Sequence, residues 1–215
     1  MTAPTLIRIT LKSASTFGRG DGVAGLVDRE IEHDPHGFPF LRGKTLKGLL
    51  KESAENVVYA LEKLQGKTGW SEARDNVFGM PGRGTTQRGN LHVGDAVLPL
   101  DLRNEIISAN LSREDVLFAL TAIRRQTSIN PDGGPEKGSL RSMRVLLPNV
   151  ILEAPLAFEQ EPSVLETQLL FATVLDFRRA GTGRNRGRGS LVAELVNNDE
   201  SLNQLFESLS KAVSS

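Results

Sequence analysis

The segment from Arg178 to Gly189 has the residue types that most clearly suggest chemistry. It reads RRAGTGRNRGRG and contains no acidic residue and no aromatic residue. Guanidinium groups match the geometry of phosphate oxygens, and glycines let backbone N–H groups approach the same oxygens. We therefore predict that it binds a nucleic-acid backbone, with RNA as the favoured ligand, rather than stacking on bases. Its five arginines are Arg178, Arg179, Arg184, Arg186 and Arg188.

A second basic group stands where the first predicted helix begins. Arg42, Lys44 and Lys47 cluster there, and Thr45 is the predicted N-cap. The first turn of a helix presents free N–H groups and a partial positive charge, which makes it a natural anion site. The glycine spacing differs from that of a nucleotide-binding P-loop, so we reject that interpretation. An ordinary helix start with exposed lysines is the alternative.

Acidic and histidine residues are concentrated in the loop before this helix. They are Asp21, Asp28, Glu30, Glu32, His33, Asp34 and His36. Carboxylates of this kind can bind a hard cation, but their spacing matches no zinc signature. Since loops also carry scattered acids for solubility, composition leaves both interpretations open.

A long polar excursion from Ser128 to Ser139 separates two basic flanks in the second half of the chain. A loop with so little apolar content adds nothing to a core, which favours a binding role. We predict an extended hairpin or finger that suits a polyanion. Its basic residues are Arg124, Arg125, Lys137, Arg141 and Arg144.

The elements that position these segments alternate between strands and helices. Period-two and helical spacing predict strands at 7–11, 91–98, 141–147, 150–158 and 190–196, and helices at 46–64, 112–124, 164–177 and 202–209. This mixed order indicates an α+β domain in which helices cover one face of a sheet. Without an internal repeat or a break in composition, we predict one domain over residues 1–215.

Composition excludes several classes of protein. The 26 basic and 26 acidic residues give zero net charge, so only a local excess of positive charge can attract a polyanion. The absence of cysteine excludes disulfides, thiolate catalysis and cysteine zinc sites. No secretory signal and no apolar run of about 20 residues is present, so we expect a cytoplasmic protein without a membrane partner.

Three blocks of sequence resemble one family. HDPHGFPFLRGKTLKG at 33–48 is similar to a D-P-x-x-G-x-P-[YF]-I-P-G-S-S-L-K-G stretch, although RGKT adds positive charge where the family has hydroxyls. FG at 78–79 with GNLHVGDA at 89–96 resembles an F-G and G-x-L-x-x-x-D-A block, and GTGRNRGRG at 181–189 resembles a C-terminal glycine-rich loop. Together they resemble the RAMP superfamily of CRISPR proteins, and most of all the repeated guide-RNA-binding backbone subunit of type III effector complexes.

The resemblance implies a ferredoxin-like, RRM-related fold. It would have an antiparallel sheet with helices on one face and an inserted β-hairpin thumb at about 124–158. In the family, the thumb wedges into the guide–target duplex, while the helix-start block and the glycine loop hold the guide RNA. The RNA-binding residues implied here are the five arginines of the glycine-rich segment with Arg19, Arg42, Lys44, Thr45, Lys47, Arg124, Arg125 and Arg141.

Target-cleaving members carry a loop aspartate six residues before the aspartate of the D-P pair, and Asp28 has this separation from Asp34. The resemblance implies that Asp28 is the catalytic and metal-binding residue of a target-RNA endonuclease that depends on a divalent ion, Mg²⁺ or Mn²⁺. Arg19 or Arg29 would offset the charge of the phosphodiester. The implied partners are guide CRISPR RNA, target RNA, other CRISPR effector subunits and further copies of the chain.

Three alternatives remain open at this point. One is an architectural RAMP subunit without nuclease activity. Another is a guide-processing endoribonuclease that uses His33 or His36 as general acid or base. The third, a generic RRM-type binder of single-stranded RNA, is disfavoured because no predicted strand carries an aromatic cluster.

Overall fold

The computed structural model describes residues 3–80, 88–128, 130, 132–134, 136, 138–196 and 207. Lys137 and nearly all of the predicted helix at 202–209 lie outside these residues. The elements are β1 Leu6–Leu11, α1 Gly43–Val58 with a π-helical continuation Tyr59–Leu64, α2 Trp70–Phe78, β2 Leu91–Val93, α3 Leu100–Ser108, α4 Arg113–Leu120, β3 Thr121–Gln126, β4 Arg141–Leu146, β5 Ile151–Phe158, α5 Val164–Asp176 and β6 Leu191–Val196.

The central sheet has four strands in the order β2-β5-β1-β6, and every neighbouring pair is antiparallel. Ile7 lies opposite Ala154 on one side and Leu195 on the other. Along the chain, these strands and the two core helices follow the order β-α-β-β-α-β, the split βαβ arrangement. The prediction of an α+β fold built on an antiparallel sheet is confirmed.

The core lies between one face of this sheet and two helices. Alternate residues of β1 are fully buried, as the period-two pattern predicts. Leu46 and Leu50 on α1, and Leu170 and Val174 on α5, are spaced by one helical turn and join the same core. The opposite face is more exposed and carries charged residues, and Arg8 forms an ion pair there with Glu153 at 2.7 Å.

The hairpin from Thr121 to Leu146 forms a second, two-stranded sheet. Thr121 lies opposite Leu146, and Gln126 lies opposite Arg141. The predicted helix therefore ends at Leu120 and not at 124, and the predicted thumb boundary at 158 is wrong, because β5 pairs with β1 in the central sheet. The sequence of β5 alternates like that of β4, and alternation alone does not identify the partner strand.

Two helices were not predicted from the sequence. Helix α3 buries no residue, so its sequence carries no apolar stripe that could reveal it. Helix α2 is short and follows Gly69, which adopts a left-handed conformation. The predicted strand at 91–98 is shortened to Leu91–Val93, with isolated bridges at Ala96 and Val97 beyond it. Within the described part of the chain, no helix is long and apolar enough to cross a membrane.

Candidate nucleic-acid interface

The arginine loop, Arg178–Gly189, is fixed to the fold at its base and along its length. Ala180 and Gly189 are joined by a backbone hydrogen bond of 2.9 Å, and Thr182 donates its N–H to the Thr16 carbonyl at 2.9 Å. A Cβ atom at Gly189 would lie 2.0 Å from the Ala180 carbonyl oxygen, and one at Gly181 would lie 2.7 Å from that of Thr16. Both glycines also have positive φ, so these positions exclude other residues.

Arg188 is the buried cation of this loop. Only 7% of it is exposed, and its guanidinium lies against Gly183 and the Met143 sulfur of β4. Burial lowers the pKa of Arg188, and the charges of Arg124, Arg186 and Arg29 lower it further. Arg188 takes part in none of the ion pairs that the described residues form. A buried charge without a partner is costly, so this position favours an anion.

A groove of about 1000 Å³ runs between the arginine loop, the hairpin and the Asp28 segment. Asp28 is the only acid among the described residues that line it, and none of those residues is aromatic. The groove therefore offers charge and backbone N–H groups rather than stacking surfaces, as expected for a site that holds phosphates. Its arginines are Arg29, Arg141, Arg184, Arg186 and Arg188.

Asp28 is exposed and lies against the hairpin. The Ser142 N–H donates to Asp28 Oδ2 at 2.6 Å, and the Ser142 hydroxyl donates to the same oxygen at 3.1 Å. The Asp28 N–H donates in turn to the Ser142 carbonyl at 2.9 Å. These two donors, with the charge of Arg141, hold the pKa of Asp28 below its usual range, so the carboxylate is ionised at neutral pH.

The acids around Asp28 in sequence do not assemble into a metal site. Four of them form ion pairs at 2.6–3.1 Å: Asp21 with Arg19, Glu30 with Arg144, Glu32 with Arg42, and Asp34 with Arg103. In the described part of the chain, no three His, Asp or Glu residues are grouped so that they could hold an ion. The residues present therefore do not fit a resident divalent ion, and the ion stays a prediction.

The D-P aspartate, Asp34, has a structural role. Its Oδ1 accepts the N–H groups of His36 and Phe38, which closes a turn, and its Oδ2 pairs with Arg103. His33 contacts the Asp34 carbonyl and Arg113, and His36 is exposed. The described residues that line the groove include neither histidine.

The start of α1 differs from the predicted anion site. The helix begins at Gly43, so Thr45 lies in its first turn and is not the N-cap. The Gly43 N–H donates to Asp95 Oδ1 at 2.7 Å, so a carboxylate of the chain itself occupies this position. Lys47 donates to the Leu91 carbonyl at 2.6 Å, and burial lowers the pKa of this lysine. Lys47 thus bonds within the fold.

The remaining predicted RNA-binding residues fall into separate places. Arg42 and Thr45 line a hollow of about 300 Å³ that they share with Arg184, and Arg125 lines one of about 440 Å³ beside Asp28. The other residues lie apart: Arg178 and Arg179 line a hollow that also contains Glu52 and Asp176, Arg19 pairs with Asp21, and Lys44 is exposed on α1.

Two residues of the site were missed by sequence reasoning. Ser142 holds Asp28 although the two are 114 positions apart, and no local pattern marks it. Arg184 Nη2 donates to both carboxylate oxygens of Glu52, to Oε1 at 2.8 Å and to Oε2 at 2.9 Å. The position of Glu52 on α1, one turn after Gly48, does not indicate that Arg184 is its partner.

Comparison with known proteins identifies the family. The RAMP superfamily model matches residues 8–192, which include β1, the Asp28 segment, the hairpin and the arginine loop. The chain belongs to the RAMP superfamily. The three blocks of sequence that resemble this family, at 33–48, 78–96 and 181–189, lie within the matched region of this RAMP protein.

Two solved structures share the fold of this RAMP protein. One is a chain in the cryo-EM structure of type III-B Cmr-beta in the apo state, at 14% identity and a TM-score of 0.64, covering 91% of this chain and 98% of that one. Another is a chain in the cryo-EM structure of type III-B Cmr-beta bound to cognate target RNA, at 13% identity and a TM-score of 0.65, covering 95% and 99%. No curated protein matches the sequence.

Proposed function

We propose that this RAMP protein is a guide-RNA-binding subunit of a type III CRISPR effector complex. The observation that carries the proposal is Arg188, a buried guanidinium surrounded by three other arginines and open to the groove. A phosphate of the RNA backbone would supply the missing negative charge. Its partners would be guide CRISPR RNA, target RNA, other effector subunits and further copies of the chain, and similarity to chains of type III-B Cmr-beta supports this choice.

The shape and charge of the groove support an RNA chain over a small anion. Positive groups extend from Arg188 to Arg141 on the hairpin, so successive phosphates would be held at several points along the groove. Arg184 is already paired with Glu52, so it contributes less free charge than Arg186 or Arg188. The absence of aromatic lining favours contact with the backbone of any sequence, which is what a guide-binding subunit requires.

We further propose that Asp28 takes part in cleavage of the target RNA. An ionised carboxylate can accept the proton of a 2′-hydroxyl, whose oxygen then attacks the adjacent phosphorus. The bond from phosphorus to the 5′-oxygen breaks, leaving a 2′,3′-cyclic phosphate, and the departing oxygen takes a proton from water. Arg29 and Arg141 line the same groove and would offset the phosphodiester charge that otherwise repels Asp28.

Replacing Asp28 tests the cleavage proposal. In an assembled complex, Asp28→Asn should abolish cutting of guide-paired RNA and leave the affinity for target RNA unchanged, because the amide does not accept the proton. Asp101→Asn, an exposed aspartate on α3, is the matched control and should cut at the normal rate. Normal cutting by Asp28→Asn would remove this residue from the mechanism. Repeating the assay with a chelator tests the predicted need for Mg²⁺ or Mn²⁺.

A non-catalytic architectural subunit is the second candidate. The observation that favours it is that the described residues offer one carboxylate in the groove and no group of metal ligands. Such a subunit would bind guide RNA through the same arginines. A complex that binds target RNA, contains this chain and fails to cut with Mg²⁺ or Mn²⁺ present would support the architectural role over the catalytic one.

A further inference from the structure

The contacts between Asp28 and the hairpin are reciprocal. Ser142 donates two hydrogen bonds to the Asp28 carboxylate, and the N–H groups of Asp28 and Arg29 donate to the Ser142 carbonyl at 2.9 and 3.2 Å. The next step along the strand continues this pairing, because the Arg144 N–H donates to the Arg29 carbonyl at 3.0 Å. The Asp28 segment thus meets β4 in an isolated parallel bridge, in which Arg29 lies opposite Met143.

The loop before Asp28 is exposed, and the two strongest hydrogen bonds to the carboxylate come from the hairpin. Residues 21–26 are all exposed, and Val27, which directly precedes Asp28, is buried. For the described residues, every side-chain hydrogen bond to the Asp28 carboxylate comes from Ser142. The position of the carboxylate in the groove is therefore set by β4 of the hairpin.

We infer that Ser142 is the positioning residue of Asp28, and that the hairpin thereby forms part of the cleavage site. The inference rests on the proposed role of Asp28 in cleavage. Ser142 itself transfers no proton in the reaction, and its effect is to hold the carboxylate in one place. Since small displacements of a reacting group are costly in rate, any movement of β4 relative to the groove also changes cleavage.

The hydroxyl and the backbone of Ser142 can be separated by mutation. Ser142→Ala removes the bond from the hydroxyl and keeps that from the backbone N–H, so we expect a loss of about tenfold in cleavage rate, the scale of one hydrogen bond to a charged group. Ser142→Thr keeps a hydroxyl on a residue that strands favour and should restore most of the rate. Target affinity should stay the same in both variants.

A general loosening of the hairpin could also slow the reaction, and Ile123→Ala controls for this effect. Ile123 lies on β3 opposite Arg144, is 40% exposed and does not line the groove, and alanine favours a strand less than isoleucine does. We expect Ile123→Ala complexes to cut at the normal rate. An equal loss in Ile123→Ala and Ser142→Ala would assign the effect to the hairpin in general and overturn the inference.

The complete test measures single-turnover cleavage by assembled complexes at saturating target RNA. The set contains the wild type, Asp28→Asn, Ser142→Ala, Ser142→Thr, Ile123→Ala and the double variant of Asp28→Asn with Ser142→Ala. If Asp28→Asn is inactive and Ser142→Ala cuts normally, the positioning role is wrong and the proposed function stands. If Asp28→Asn itself cuts normally, the proposed function fails. The double variant should be no slower than Asp28→Asn alone, because Ser142 acts only through Asp28.

Discussion

Among single residues, Arg188 is expected to lower the stability of the free protein, because its charge is buried. Its guanidinium is buried beside Met143 with other arginines around it, and the described ion pairs include none that neutralise it. Replacing a buried charge with an apolar group of similar length is often neutral or stabilising. A residue that lowers the stability of the free protein in this way is expected at a site where a bound ligand neutralises its charge.

The variant Arg188→Met tests this expectation. We expect the urea midpoint of the free protein to stay the same or rise, while affinity for single-stranded RNA falls about tenfold or more, the scale of a lost charge-assisted hydrogen bond. Urea denaturation and a filter-binding assay measure the two effects. Arg178→Met, outside the groove, should change RNA affinity much less. A fall in stability without a fall in affinity would make Arg188 a structural residue.

Sequence reasoning named Asp28 and the arginine loop as candidates but did not predict the burial or the partners of each side chain. The separation of Asp28 from Asp34 is a local feature and can be read from the sequence. The burial of Arg188 depends on β4, which packs against the loop from 45 positions away. In the same loop Arg178 is exposed, and nothing in the RRAGTGRNRGRG pattern distinguishes the two.

At the scale of elements, the start of α1 packs against the segment that follows β2. Gly43 must be glycine, since a Cβ atom there would lie 2.2 Å from the Val93 carbonyl oxygen. This close approach lets Asp95 accept the Gly43 N–H and complete the first turn of the helix. The GDA sequence at 94–96 thus supports the start of α1, where Arg42 and Thr45 line a hollow with Arg184.

Replacing Asp95 should weaken the helix start. We expect Asp95→Ala to lower the free energy of unfolding by about 1 kcal/mol, the usual cost of losing a cap, and the melting temperature by about 2–4 °C. Thermal unfolding followed by circular dichroism measures this. Glu55→Ala, at an exposed acid far from the start of α1, is the control and should leave the melting temperature nearly unchanged. Equal effects of the two variants would contradict a capping role for Asp95.

The elements that sequence reasoning misjudged have little local signal. Helix α4 ends where Thr121 donates its hydroxyl to the Leu117 carbonyl and the chain turns directly into β3. Since β3 is exposed except at Thr121, its residues show no alternation, and the helical pattern before it extends falsely to Arg124. Strands β1, β5 and β6 of the central sheet were predicted well because one face of each is buried, whereas the predicted strand at 91–98 ends at Val93.

For the whole molecule, charge separation matters more than total charge. Formal net charge is zero, yet the described residues that line the groove include five arginines and one acid. Much of the remaining charge is neutralised in pairs such as Arg144 with Glu30, which is almost fully buried. The sequence predicted that any attraction for a polyanion had to be local, but the partner of each charge depends on the folded arrangement.

This separation predicts a strong salt dependence of RNA binding in a protein without net charge. Each phosphate held on a single strand contributes about 0.7 to the slope of log affinity against log salt. Since Arg184 is already paired with Glu52, the other four groove arginines predict a slope of about −3. Titrations of an unstructured single-stranded RNA at several salt concentrations measure it. Arg186→Gln should reduce the slope by one such contribution, and Arg19→Gln, whose arginine already pairs with Asp21, should leave it unchanged. A slope near zero for the wild type would contradict phosphate binding in the groove.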